Sequence, residues 1–511
     1  MNVKGLEKLR KILLKWSSGS IVYLSLIIYA FLSTVSFLST AYFEMDYLET
    51  TYYKRDFIPL HLLVLFIFLF VLWWIEKKKG LENISSKKLC LLLLCYAALF
   101  SGIWSVVSHA VPTADQAKVA DCAADFMRGE YYYFSPGKYM QIYPMQTGYV
   151  AFLEILFRVF GPFSYSVVEI LNVCFICLEF YLVYKITDLV FKNRKVTNLA
   201  LFLLFGCMPY LFYATFIYGE MVGAPLALAS VYGAIRFMEE RKLVFGAMTA
   251  LCLGAAVTIK QNFLITAIAV ALYLLLKGLE QKKYTCLFVI AASILCMVSF
   301  DTGVKKQYEL RSGYEIGSGV SPLLHIAMGM QEGEMAEGWY NGYILGTFWD
   351  CGEDMEKSAE KAAEDIHRSL NYFVDNPAYA AEFYYKKIVS QWNNPLYECL
   401  WISHFENAHD GPLPSVVQSL YVGKLHWIFL GFANEYHWIL FAGACMGLWL
   451  YRKKYTLEQL FLALIILGGF FFHIIWEAKS RYILPYFVLF IPYAALGYQQ
   501  FLLYLNRIKE G

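Results

Sequence analysis

Apolar runs long enough to cross a lipid bilayer recur along almost the whole chain, and no other feature restricts its fold as much. A hydrocarbon core of ~30 Å is spanned by about 20 residues of α-helix. Inside lipid, every backbone N–H and C=O must find its partner within the spanning structure, which a helix achieves on its own. Runs of this kind lie near 20–42, 57–76, 88–109, 164–191, 196–217, 219–238, 243–259, 261–278, 284–301, 433–451, 457–475 and 481–504. The fold class expected is therefore all-α: a multi-span integral membrane protein of about twelve helices, or thirteen if residues 147–160 also cross. Composition agrees, since only 16% of the 511 residues are charged and 59% are hydrophobic, against about 25% charged in a soluble domain. A net charge of +2 gives no basis for binding nucleic acid.

The order of the spans is tested by where the basic residues fall, because cytoplasmic loops are enriched in Lys and Arg. Lys4, Lys8, Arg10, Lys11 and Lys15, then Lys77-Lys78-Lys79, Lys192/Arg194/Lys195, Arg241-Lys242, Lys282-Lys283, Arg452-Lys453-Lys454 and Arg507/Lys509 all reach the cytoplasm if residues 147–160 do not cross. That segment is expected to be a short helix on, or dipping into, the outer leaflet. Both termini are then cytoplasmic, the first span is an uncleaved anchor, and two long segments are extracytoplasmic. The chain divides into N-terminal membrane helices (1–109), a first external loop with a juxtamembrane helix (110–163), a membrane core (164–301), a large external loop or mostly helical small subdomain (302–432) and C-terminal membrane helices (433–511). Within the large loop, helical spacing runs from Glu353 to Tyr385 with a break at Asn376-Pro377. Most of the twelve Cys sit in apolar runs, Cys174 and Cys177 included, and are expected to be small buried hydrophobes. Cys122, Cys351 and Cys399 fall in external segments, where a disulfide is open.

The ionisable residues that need a reason gather at the outer ends of spans. Asp115 follows Pro112-Thr113 directly after a span; there Thr113 or Asp115 caps the next helix, or the partial desolvation of Asp115 suits it to general-base work. Asp125, ten residues on, lies closer to the face of Asp115 than Asp121 does. Glu220, in Tyr218-Gly219-Glu220, is either a helix N-terminal acid or a functional carboxylate at the edge of hydrocarbon. Lys260, in Thr258-Ile259-Lys260, resists the positive-inside bias and either snorkels or meets a lipid-linked phosphate. Last comes His473-Ile474-Ile475-Trp476-Glu477-Ala478-Lys479-Ser480-Arg481-Tyr482. On a continuing helix His473, Glu477 and Arg481 share a face, so that Arg481 holds a phosphate with Glu477 orienting it, or simply pairs with Glu477. In the large loop, Trp339, Asn341, Trp392 and Asn393 combine ring faces and amides that suit a sugar and are equally at home in an ordinary loop. His325, His404 and His409 show no metal-ligand spacing with acids, and no metal site is expected.

These motifs, in this order, resemble the GT-C membrane glycosyltransferases, most closely family 39, which holds the protein O-mannosyltransferases and lipid A aminoarabinose transferases. Pro112-x-x-Asp115, Gly129, Tyr143-Pro144 and the apolar helix ending Phe160-Gly161 resemble the family's first external loop. Tyr218-Gly219-Glu220 resembles its second acidic position, Thr258-Ile259-Lys260 its Thr-Lys step, and Trp476-Glu477-x-Lys479-x-Arg481-Tyr482 its late Arg-Tyr signature. The likeness runs from about 110 to 500 and is weak in the large loop. It implies a GT-C fold and an inverting transfer of sugar from a polyprenyl-phosphate carrier to an acceptor hydroxyl on the outer face of the cell membrane. Asp115 would be the base, Glu220 would orient hydroxyls, and Lys260, Lys479 and Arg481 would bind the donor phosphate, with His473, Glu477, Tyr143 and Tyr482 in support. No soluble cofactor is implied, consistent with the lack of a Gly-rich dinucleotide fingerprint. The acceptor is a glycan, lipid or protein. Two departures stand out: the first loop has no close acidic pair to bridge a divalent metal, and the second acidic position is Glu where Asp is usual. A polysaccharide polymerase or ligase, a lipid-linked-sugar transporter and a non-catalytic scaffold are the competing readings. A transporter would carry ionisable residues at mid-span and paired broken helices.

Overall fold

The computed structural model describes residues 3–45, 49–404 and 411–510, the side chains of Val3, Leu6 and 506–510 excepted. His409 and the side chains of Arg507 and Lys509 thus lie outside the described residues. Among those described, nine helices are long and apolar enough to cross a membrane: Glu7–Leu38, Ile58–Lys77, Ser86–Ser108, Tyr165–Phe191, Gly219–Glu240, Gln261–Gln281, Cys286–Ser312, Leu457–Ile475 and Ser480–Leu505. A further apolar helix pair, Arg194–Phe205 and Met208–Thr215, is bent by 55°, where Pro209 removes a backbone donor. The last two expected spans are helical as well. Leu243–Ile259 has 17 residues, and the 28-residue Lys424–Tyr451 is interrupted by His426, Asn434, Glu435 and His437.

The first expected span, 20–42, ends early. Its helix stops at Leu38, and Ser39–Phe43 pairs antiparallel with Thr51–Arg55. The β-branched and aromatic residues of Thr51-Tyr52-Tyr53 favour this strand, and its edges are covered rather than free. Ala41 N–H donates to Asn393 O (3.2 Å) and Thr51 N–H to Met335 O (2.9 Å). The fold is therefore helical with one small hairpin, and the hairpin joins the N-terminal helices to the large external segment. In that segment the expected break is present: Met355–Asp375 ends and Pro377–Trp392 begins on either side of Asn376.

Residues Thr147–Phe160 form a 14-residue helix, about 21 Å long and so shorter than the ~30 Å core. One side is buried through Tyr149, Val150, Leu153 and Phe157, while Ile155, Val159 and Phe160 are exposed. Glu154 fastens it. Tyr308 OH donates to Glu154 Oε2 (2.6 Å), Arg311 Nη1 donates to the same oxygen (3.1 Å), and Arg158 Nε donates to Oε1 (2.9 Å). Burial alone would raise the Glu154 pKa, but these three donors hold it below its ordinary value.

Gly219–Glu240 is the central helix, 83% of its apolar window being buried, against 11% for the peripheral Ile58–Lys77 and Cys286–Ser312. Elsewhere Gly443 and Gly447, four apart on Lys424–Tyr451, let that helix lie against Gly497. A Cβ on Gly497 would stand 2.0 Å from Gly443 O, a close crossing of the small-xxx-small kind. The basic loops collect at one end of the bundle, where Lys195 meets Glu76 (2.6 Å), Lys192 meets Glu239 (3.0 Å) and Lys282 meets Glu7 (2.8 Å). Asp115, Glu220, Lys260 and Glu477 are at the other end, because each basic loop is separated from them by one helix length. All twelve cysteines are free thiols.

Gly148 brings the short helix against the bundle. A Cβ there would lie 1.9 Å from Thr258 O, which neither backbone can absorb in place. Gly148→Ala is expected to cost about 2 kcal/mol or more and to lower the melting temperature of the detergent-solubilised protein. Gly102→Ala, where nothing lies within 4 Å, should not lower it. Equal melting of the two variants would contradict this packing.

Candidate functional site

Asp115 stands in the first turn of Ala114–Arg128, entered through Ala114 at φ +50°. The next residue fixes its place. Gln116 is buried, donates through Nε2 to Ile402 O (3.1 Å) and accepts from Ile217 N–H through Oε1 (2.9 Å). Asp115 itself is exposed, and Tyr139 OH approaches its Oδ1 at 3.4 Å. Thr113, at the N-cap position, makes no side-chain cap bond, so the capping alternative for Thr113 is not realised.

Glu220 and Lys260 are brought together. They form an ion pair of 2.9 Å with both side chains largely buried, and the Lys260 ammonium lies 3.9 Å from the centre of the Tyr218 ring. A cation over an aromatic face beside a carboxylate has an immediate local reason to be there, and free snorkelling of Lys260 is corrected. The geometry depends on close backbone approach, since a Cβ on Gly219 would meet Ile259 O at 2.8 Å. Gln146 Nε2 donates to Tyr218 OH, which joins the first external loop to this pair.

The third group corrects the sequence reading most. Leu457–Ile475 does not continue; Trp476 is extended, and a tight turn begins at Ser480. Ala478 instead pairs with the large external segment, its N–H donating to Gly338 O (2.8 Å) beside a parallel bridge to Trp339. His473, Glu477 and Arg481 therefore do not share a helical face. His473 is wholly buried behind the site, stacked on the Tyr482 ring at 5.8 Å. Glu477 is engaged by His325 Nδ1 (3.1 Å) and by Tyr482 OH, which donates to its Oε1 (3.2 Å). Burial would raise its pKa, but His325, Lys479 and Arg481 together hold it below the ordinary carboxylate range. Arg481 pairs with Glu398 rather than Glu477, through Nη1 to Oε2 at 2.9 Å, and lies 3.6 Å from Glu49 Oε1. Lys479 contacts the other oxygen of Glu49. All three expected phosphate ligands are thus already paired with buried carboxylates, Lys260 with Glu220 and the other two with Glu49 and Glu398.

These groups lie near one another. Tyr143 and Tyr340 each have a pKa raised first by burial and then by nearby charges that include the carboxylates of both Asp115 and Glu477. Glu49, Glu398 and Tyr139 join these groups without having been expected, and so do His325, read above only for metal spacing, and Tyr218, read only as part of a motif. A signal existed for Glu49, an acid a few residues beyond the first span. Glu398 follows Asn393-Asn394-Pro395 with no local cue to its partner 83 residues away.

The sugar-binding set is corrected as well. Trp339 and Trp392 are 0% and 1% exposed, so neither offers a ring face. Trp339 Nε1 donates to Ser390 Oγ (2.9 Å), and Trp392 packs on Phe470, Tyr486 and Phe490. Asn393 is buried and donates to Ser39 O (2.7 Å). Asn341 is exposed but turned inward on its own loop, its amide donating to Gln331 Oε1 (3.1 Å). Tyr340 is exposed, and the charges of Asp115 and Glu477 both act on it. Among the described residues, no group of three His, Cys, Asp or Glu is arranged to hold a metal ion.

Trp392→Ala is expected to destabilise the protein by about 3–5 kcal/mol through a core cavity, read as a lowered melting temperature. The affinity of the surviving folded fraction for a sugar ligand should be unchanged. Selective loss of that affinity at unchanged melting temperature would restore the binding role.

No family model and no curated protein matches the chain. Among solved structures it is similar to the archaeal oligosaccharyltransferase AglB from Archaeoglobus fulgidus, determined in complex with an inhibitory peptide and a dolichol-phosphate. The match has 13% identity and a TM-score of 0.43, and covers 83% of this chain and 52% of that one. The chain therefore spans about half the length of that protein.

Proposed function

We propose that the protein is a membrane glycosyltransferase that moves a sugar from a polyprenyl-phosphate carrier to an acceptor hydroxyl at the extracytoplasmic face. The observation that carries this reading is the gathering of acids and cations at one end of the bundle. An exposed carboxylate, Asp115, and the buried Glu477 both act on Tyr143 and Tyr340, with Lys260, Lys479 and Arg481 at the same end of a membrane-spanning bundle. Asp115 accepts the proton of the acceptor hydroxyl as that oxygen bonds to the anomeric carbon. The bond from that carbon to the phosphate oxygen breaks, its electron pair leaves with the lipid phosphate, and the configuration inverts. Negative charge then develops on the phosphate, where Arg481, Lys479 and Lys260 supply fixed cations in a poorly solvated place. Glu220, held by Lys260, presents a carboxylate for donor or acceptor hydroxyls, and Tyr139 steadies Asp115. The positive-inside distribution supports the outward orientation of this end, with both termini in the cytoplasm. The acceptor is a glycan, lipid or protein hydroxyl.

One observation favours the transporter as the second reading. Glu179, midway along Tyr165–Phe191, is buried and accepts from Tyr210 OH (2.5 Å), and acids at such depth mark translocation paths.

The test is loss of label from a panel of radiolabelled polyprenyl-phosphate sugars, with purified protein in detergent. Wild type is expected to turn over one of them, and Asp115→Asn to lose about 100- to 10,000-fold in rate while still binding the donor. Normal turnover by Asp115→Asn would remove Asp115 as base. Passage of an intact sugar-lipid across proteoliposomes, without transfer, would favour the transporter.

A further inference from the structure

The two cations at the end of Leu457–Ile475 are already neutralised, and by unequal partners. Glu398 is the permanent one. Its Oε1 accepts from Ser480 Oγ (3.0 Å) and Arg481 N–H (3.1 Å), and its Oε2 accepts from Arg481 Nη1 (2.9 Å). Glu49 arrives from the loop between the hairpin strands. One of its oxygens contacts Lys479, while the other, Oε1, lies 3.6 Å from Arg481 and is a buried acceptor without a hydrogen-bond partner among the described residues. Arg481 Nε is likewise a buried donor with no hydrogen-bond partner among them. An anion between Lys479 and Arg481 is thus present but poorly bonded, and the guanidinium keeps a donor in reserve.

We propose that Glu49 is an internal counter-anion occupying the seat of a lipid phosphodiester between Lys479 and Arg481, and that the phosphodiester binds when Glu49 is neutralised by a proton. This inference rests on the lipid-phosphate reading above and adds a control to it. With Glu49 ionised, the four side chains sum to zero charge and a phosphodiester gains nothing by entering. With Glu49 protonated, Lys479 and Arg481 outnumber Glu398 among these four by one positive charge. The charged groups facing Glu49 are Lys479, Arg481 and Glu398, and Asp115 and Glu477 act on the same cations. Burial, followed by the charge of Glu398, outweighs the two cations and lifts the Glu49 pKa to about 7. Glu398 and Glu477 are held below the ordinary carboxylate range, where burial is outweighed by Arg481, Lys479 and, for Glu477, His325. The sign follows: Glu49 is neutral below this pKa and the seat opens as pH falls.

The test is equilibrium binding of methyl farnesyl phosphate, a phosphodiester whose own charge is constant over the range, to the full chain in detergent. Only the fraction of protein with Glu49 protonated is competent, so wild-type affinity is expected to rise about tenfold from about pH 8 to about pH 6. Glu49→Gln should bind about tenfold tighter than wild type at the higher pH and lose this pH dependence. Lys479→Met should bind weakly at both pH values in either background, and melting curves confirm that each variant is folded. Equal or weaker binding by folded Glu49→Gln, with wild type still releasing sugar from its lipid donor, would overturn this role for Glu49 and leave the transferase reading intact. Failure of every variant to bind at either pH would overturn the seat and the lipid-phosphate reading together. If Glu49→Gln does not fold, a wild-type affinity that is flat with pH overturns the proposal and a tenfold rise upholds it.

Discussion

Much of this structure depends on charges that have been taken out of water next to a membrane. Moving a single ion into a low-dielectric interior costs several kcal/mol in practice, and only a partner of opposite sign with good geometry offsets that. Lys479 and Arg481 meet the requirement with Glu49 and Glu398, the first 430 positions from Lys479 and the second 83 from Arg481. Because none of the four is tolerable alone, the hairpin, the 393–404 stretch and the start of the last span must be assembled together. Glu154 with Arg311 and Tyr308 does the same for the short helix, and Glu220 with Lys260 for the meeting point of two spans.

Small residues make those pairings reachable. Charged side chains can meet only where backbones come within a few ångströms, and Gly148 against Thr258 and Gly219 against Ile259 are where that happens. Both contacts surround Lys260. The catalytic reading therefore places its acid and its cations on rigid supports: Asp115 follows from the anchoring of Gln116, and Lys260 from two helix contacts that admit no side chain. Such rigidity is what positions reacting groups without a further ordering cost at the moment of reaction.

Not every expectation survived, and the failures have one cause. The i, i+4, i+8 spacing of His473, Glu477 and Arg481 was extended past Ile475, where the helix ends with no Gly and no Pro until Pro485 to announce it. What stops it is Ala478 pairing with Gly338 and Trp339, a contact from another part of the chain. Trp339, Trp392 and Asn393 read as a ligand surface because aromatic and amide residues suit sugars and loop cores alike; only burial separates the two. The hairpin was hidden because Ser39–Phe43 is apolar enough to prolong the span before it.

The sequence by itself determined the membrane class, the helical character of all twelve expected spans, the break at Asn376-Pro377 and the gathering of Asp115, Glu220 and Lys260 at one end of the bundle. These follow from the length and periodicity of apolar runs and from charge asymmetry, which are local properties of a chain in lipid. Tertiary structure alone decided which cation meets which acid, that Trp339 and Trp392 are core, and that Glu49 and Glu398 belong to the site. Pairing between distant residues depends on how the backbones pack, and neither spacing nor composition carries that information.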